Sequence, residues 1–112
     1  MRLGDLKTKW DALSTKLCLK GDEAMQAVGY NGLAIRYVAE QTSAICLAAV
    51  KQNGLALMYV EEQTPEICLA AVQTDGGALQ YVREQTAEVC LAAVEQNIDA
   101  LKYVREEMFD LA

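Results

Sequence analysis

The residues of this chain best suited to chemistry recur at one interval. Cysteines stand at Cys46, Cys68 and Cys90, each 22 residues from the next, and carboxylates at Glu40, Glu62, Glu84 and Glu106 keep the same step. Thiols can serve as nucleophiles or metal ligands. A row of carboxylates can hold a cation or imitate the phosphate spacing of a nucleic acid. Each role has further requirements. A nucleophilic thiol needs a nearby base or a setting that lowers its pKa, whereas these cysteines sit in apolar runs such as Ile67-Cys68-Leu69-Ala70-Ala71-Val72. The sequence has no histidine, the commonest general base and nitrogen ligand. No Cys-X-X-Cys pair occurs, and sulfurs one repeat apart cannot share a tetrahedral zinc ion. The repeated thiols therefore read as small hydrophobes. Cys18, outside the register, reads as a packed thiol, with a more accessible one as the alternative. No catalytic residue, metal or cofactor is expected, and function must be sought in binding.

The elements that position these residues share the period. Four 22-residue copies run 21–42, 43–64, 65–86 and 87–108 without an insertion, and Tyr37, Tyr59, Tyr81 and Tyr103 fall in register. Such a period marks an array in which each unit buries its apolar face against its neighbours. In residues 64–86, Thr64 is a good N-cap, Pro65 suits the first helical position, and Glu66 complements the helix dipole. The apolar run that follows predicts a helix buried on all sides. It should stop near Asp75-Gly76-Gly77, with glycine relieving a left-handed closing residue and Asx capping the next helix. Ala78, Leu79, Tyr81 and Val82 then form the apolar arc of a second helix, while Gln80, Arg83 and Glu84 face away. The fourth copy has Asn97-Ile98-Asp99 and no glycine here. Alanine pairs and the Thr-Pro-Glu start argue against a strand. The expected fold is all-α, an α-solenoid of four helical hairpins with an N-terminal amphipathic cap helix.

The cap is assigned to residues 1–20, where Leu3, Leu6, Trp10, Leu13 and Leu17 form a helical stripe beside Arg2, Lys9 and Lys16. The alternative use of such a helix is an anionic membrane surface. Residues 109–112 form a tail, and Met108, Phe109 and Leu111 either fold back over the last hairpin or dock on another copy. The net charge of −6 divides into +3 over residues 1–20 and −9 over the rest. Oppositely charged ends allow a homo-oligomer built head to tail. The acidic body argues against nucleic acid as a partner, and the short apolar runs argue against a membrane span. Stacked helices hold equivalent cysteines about 10 Å apart, beyond the roughly 7 Å limit of a disulfide. A reduced, cytoplasmic protein is the expected setting.

In repeat proteins a fixed frame carries variable positions that read the partner. Here those positions are Arg36, Met58, Gln80 and Lys102, followed by Ala39, Glu61, Arg83 and Arg105. Arg36, Met58, Glu61, Gln80, Arg83, Lys102 and Arg105 are the candidate partner-binding residues, because mixed arginine and apolar character suits interface anchors. Charge reversal at Arg83 and Arg105 is expected to weaken binding without lowering thermal stability. The ladder carboxylates are expected to pair within helices, as Arg36 with Glu40 and Lys102 with Glu106.

The motif LAAVxQNGxALxYVxEQTxE, read at Leu47–Glu66, resembles a family of short helical repeats of uncharacterised function found in bacteria and large viruses. The resemblance covers residues 21–108 and implies the repeat fold and an interaction role, with no catalytic residues. The expected function is a non-enzymatic protein-protein interaction module, a scaffold or adaptor with a protein partner. The rival is a small acidic inhibitor from a phage or mobile element that blocks a host enzyme, by nucleic-acid mimicry in one form. An enzyme is the third class.

Overall fold

Three threonines set the beginning of the helices. The hydroxyls of Thr42, Thr64 and Thr86 each accept a hydrogen bond, 3.2 Å long, from the backbone N–H of Ile45, Ile67 and Val89, which would otherwise lack an intrahelical partner. The computed structural model describes residues 19–111, and all regular elements among them are helical. The α-helices are α1 (Gly21–Tyr30), α2 (Ser43–Gln52), α3 (Pro65–Thr74) and α4 (Ala87–Gln96). Between and after them lie the 3-10 helices η1 (Gly32–Tyr37), η2 (Gly54–Tyr59), η3 (Gly76–Tyr81), η4 (Ile98–Tyr103) and η5 (Glu106–Leu111). The cap helix expected over 1–20 lies outside the described residues apart from Leu19 and Lys20, and so does Cys18.

Successive α-helices pack on one another, and η1 to η4 pack in succession beside them. The result is a body of 60 × 29 × 19 Å. One continuous core fills it. In the third unit it takes Ile67, Cys68, Ala71 and Val72 from α3, Ala78 and Leu79 from η3, and Val82 after it, all buried. Leu69 and Ala70 stay half-exposed, so α3 is not buried all round as the apolar run suggested. Tyr59, Tyr81 and Tyr103 are half-buried and pack against the core. No further repeat stacks on the last unit among the described residues; Met108 of η5 packs against the core, while Leu91, Leu101 and Phe109 are exposed.

The second element of each unit differs from expectation. It is a six-residue 3-10 helix that starts at the glycine and ends at the tyrosine, with bonds such as Ala56 N–H to Asn53 O (2.9 Å) and Val60 N–H to Leu57 O (3.1 Å). What stops it is a side chain from the preceding unit. Gln41 Nε2 donates to Tyr59 O (2.9 Å), and its Oε1 accepts from Glu61 N–H (3.0 Å). A longer helix would have used both groups. The chain beyond Tyr59 is therefore extended, with Val60 at φ −77° and ψ 121°. Glu61, Arg83 and Arg105 sit on these extended connectors, not one helical turn after Met58, Gln80 and Lys102.

The glycines also serve another purpose than the one predicted. Gly32, Gly54 and Gly76 have no left-handed φ; among the described glycines only Gly21 does, at 53°. They are pressed against the next unit. A Cβ on Gly54 would stand 2.5 Å from Ala71 O, one on Gly76 2.6 Å from Ala93 O, and one on Gly32 would strike Ala49 O. The Asx residues cap the 3-10 helix as expected: Asn31, Asn53, Asp75 and Asn97 side chains accept from Leu33, Leu55, Gly77 and Asp99 N–H.

Candidate functional site

The polar groups between units belong to a ladder of glutamines. Gln63 donates to Tyr81 O (2.8 Å) and accepts from Arg83 N–H (3.0 Å). Gln85 treats Tyr103 O (2.8 Å) and Arg105 N–H (2.9 Å) in the same way. One carboxamide thus pairs with a donor and an acceptor two residues apart, as a peptide group does across parallel strands. The first unit makes the likeness literal. Leu19 stands 22 residues before Gln41, and there the main chain itself donates to Tyr37 O (3.0 Å) and accepts from Ala39 N–H (3.1 Å).

The thiols join this ladder. Cys46, Cys68 and Cys90 are unpaired and buried, and their Sγ atoms lie 3.7, 3.6 and 3.5 Å from Gln41, Gln63 and Gln85 Oε1 as weak donors. Burial pushes all three thiols above their ordinary value of 9.0; Glu61 and Glu62 push Cys46 further up, while Arg83 and Arg105 oppose the rise at Cys68 and Cys90. Such thiols are poor nucleophiles at neutral pH. The described residues bring no three cysteine or acidic side chains together in a metal-ligating group.

Of the sequence candidates, Arg36, Met58, Gln80 and Lys102 occupy one equivalent, exposed position on η1 to η4. Arg36 lies over the Tyr37 ring at 4.8 Å and Lys102 over the Tyr103 ring at 5.1 Å. These cation–π contacts stand where pairs with Glu40 and Glu106 were expected. Spacing four apart brings side chains together only on an α-helix, and η1 and η4 end at the tyrosines.

Arg83 and Arg105 take a different role from the one expected. Arg83 Nη1 donates to Glu61 O (2.6 Å) and Nη2 to Val60 O (2.9 Å), both on the preceding connector. Arg105 repeats this on Arg83 O (2.5 Å) and Val82 O (2.9 Å). These guanidinium groups clamp neighbouring units, so charge reversal there acts on stability as well as on any partner. That corrects the expectation of an unchanged melting temperature. Glu61, the equivalent residue one unit earlier, is exposed and offers a carboxylate where the next two units offer a guanidinium.

Gln41, Gln63 and Gln85 are not among the sequence candidates. Their signal was visible: a polar residue at the same place in three copies, beside a buried cysteine, needs a partner for its amide. A related pair was also missed. Gln52 and Gln96 Oε1 accept from Gly32 and Gly76 N–H at 2.6 Å. Thr74 holds that place in the third unit and donates instead to Ala70 O (2.9 Å) in its own helix.

No helix among the described residues is long and apolar enough to cross a membrane. Neither the curated proteins nor the solved structures contain a match to this chain. A family described as a domain of unknown function, DUF4116, matches residues 43–86 and again 64–109, overlapping stretches that fit a short repeat. Those matches span more than half of the sequence, and the protein belongs to the DUF4116 family.

Proposed function

We propose that this chain is a non-enzymatic protein-binding module, an α-solenoid of four short hairpins that presents a row of variable side chains. The observation that carries this reading is a division of labour. The glycines, glutamines, cysteines and connector valines recur and are spent on contacts between units. Arg36, Met58, Gln80 and Lys102 share one exposed position and differ in every unit. A regular frame with variable exposed positions suits recognition by an extended surface. The exposed, apolar Met58 is its natural anchor, since flexible thioethers suit adaptable interfaces.

The test is affinity capture from the native host with the wild-type chain and with Met58→Asp, which changes no frame residue. A partner held by the wild type and lost by the variant, at unchanged melting temperature, supports this surface. Partners held equally by both would move the site off the 3-10 helices. The inhibitor reading draws on the exposed carboxylates of Glu40, Glu62, Glu84 and Glu106, which recur after each 3-10 helix. It requires a basic partner from which nucleic acid displaces the chain; a captured partner indifferent to nucleic acid sinks that version.

A further inference from the structure

The arginine clamp exists at two of three equivalent places. Arg83 holds Val60 O and Glu61 O, and Arg105 holds Val82 O and Arg83 O. The corresponding carbonyls one unit earlier are Val38 O and Ala39 O. The residue placed to reach them is Glu61, which carries no donor, and none of the described side chains donates to either oxygen. The rest of the seat is conserved between units. Gln41 holds Glu61 N–H as Gln63 holds Arg83 N–H, 3.0 Å in each case. Ala39 N–H is likewise fixed on Leu19 O, so the connector carbonyls are kept in place from behind.

A groove of about 170 Å³ opens beside this seat, lined in part by Gln41, Thr42, Glu61, Glu62 and Thr64. Its counterpart one unit later is lined by Gln63, Arg83, Glu84 and Thr86, so the two grooves are built from the same positions. The second groove holds its own cation. The first has Glu61 at the position equivalent to Arg83, so it offers a carboxylate beside the register equivalents of the two clamped carbonyls, Val38 O and Ala39 O. Planar, five-donor guanidinium matches adjacent carbonyls and a carboxylate better than a compact ammonium does.

We propose that Val38 O, Ala39 O and the Glu61 carboxylate form a seat for an arginine side chain of a partner protein, taken in trans where the later units supply their own arginine in cis. The proposal rests on the reading of the array as a protein-binding module, and it assigns Glu61 a definite partner chemistry. Glu62 adds negative potential at the rim. Arginine is favoured over lysine because the internal precedents are forked contacts to two consecutive carbonyls.

The seat is testable without the partner. Full-length, isotope-labelled protein is titrated with N-acetyl-arginine amide, its lysine analogue and its uncharged citrulline analogue, and amide shifts are followed by NMR. The expected result is a saturable change centred on residues 38–41 and 61 with the arginine compound, about tenfold weaker in Glu61→Gln, as loss of a charge-assisted contact implies. In Glu61→Arg, which fills the seat in cis, the response disappears and the melting temperature rises. Shifts scattered over the surface, an equal response to citrulline, or a Glu61→Arg variant that melts below the wild type would each overturn the proposal. Failure here with Met58-dependent capture intact removes the seat alone. A wild-type chain that captures no partner, with the titration intact, removes the module reading instead.

Discussion

Gly76 and Gly77 are neighbours in sequence with opposite requirements. A Cβ at Gly76 would lie 2.6 Å from Ala93 O, a backbone atom of the next α-helix that has no room to retreat. A Cβ at Gly77 would meet only the Asp75 side chain, with Oδ1 at 3.1 Å, and other units carry Leu33, Leu55 and Asp99 at this place. Gly76→Ala is therefore expected to cost about 1–3 kcal/mol as overpacking between two backbones. Gly77→Ala should be neutral or stabilise by about 0.4–1 kcal/mol through a restricted unfolded chain. Urea unfolding of the two variants separates the effects, and equal costs would refute the close-approach argument. The thiols carry a second prediction at this scale. Burial raises the pKa of Cys46, Cys68 and Cys90 above 9.0, so the folded state favours the neutral form. The stabilisation is complete below the unfolded thiol value and is lost as pH rises through the higher folded one. Stability should fall above about pH 9, and the Cys46→Ala/Cys68→Ala/Cys90→Ala variant should show a shallower fall than the wild type. Parallel alkaline profiles by thermal melting would show that other groups carry the dependence.

The elements are held together by side chains that imitate or bind the main chain of the adjacent unit. The α-helix beginnings were legible because their causes are local: Thr64 bonds Ile67 three residues on, and Pro65 presets its own φ. The 3-10 helices were not. Ala78, Leu79, Tyr81 and Val82 have the spacing of an α-helix, but Gln63, 18 residues before Tyr81, removes the carbonyl that would continue it. Periodicity reports which residues face inward and is silent about which backbone groups another unit has claimed. The same long-range logic governs Arg83, whose exposed position and charge pointed to a partner while its guanidinium is bonded to carbonyls 22 and 23 residues back. Arg83→Glu should lower unfolding stability by about 1–2 kcal/mol, since two charge-assisted bonds are lost and carboxylate is brought towards two carbonyl oxygens. Chemical denaturation decides the point. An unchanged midpoint would return Arg83 to the surface available for binding.

At the scale of the whole molecule, successive helices pack on one another and the contacts between units repeat. The earlier unit must offer a glycine to the later helix and a glutamine to the later tyrosine carbonyl. Units 43–64 and 65–86 meet both conditions through Gly54 with Gln63 and Gly76 with Gln85. The fourth unit meets neither: Ile98 stands at the glycine position and Glu107 at the glutamine position. A further unit of the same geometry stacked on α4 would drive the Ile98 Cβ into a carbonyl, and Glu107 has no amide to donate. The array is thus extensible inside and blocked at this face. A copy of residues 65–86 inserted after Thr86 keeps every interface rule, places Pro65 behind a threonine as before, and lets the new arginine clamp Val82 O and Arg83 O. That longer chain should melt higher than the wild type and unfold with a steeper denaturant dependence, because more surface is buried in one cooperative stack. The same 22 residues placed after Met108 should add neither. If both extensions stabilise equally, the glycine and glutamine do not govern stacking, and the frame is held by its apolar contacts alone.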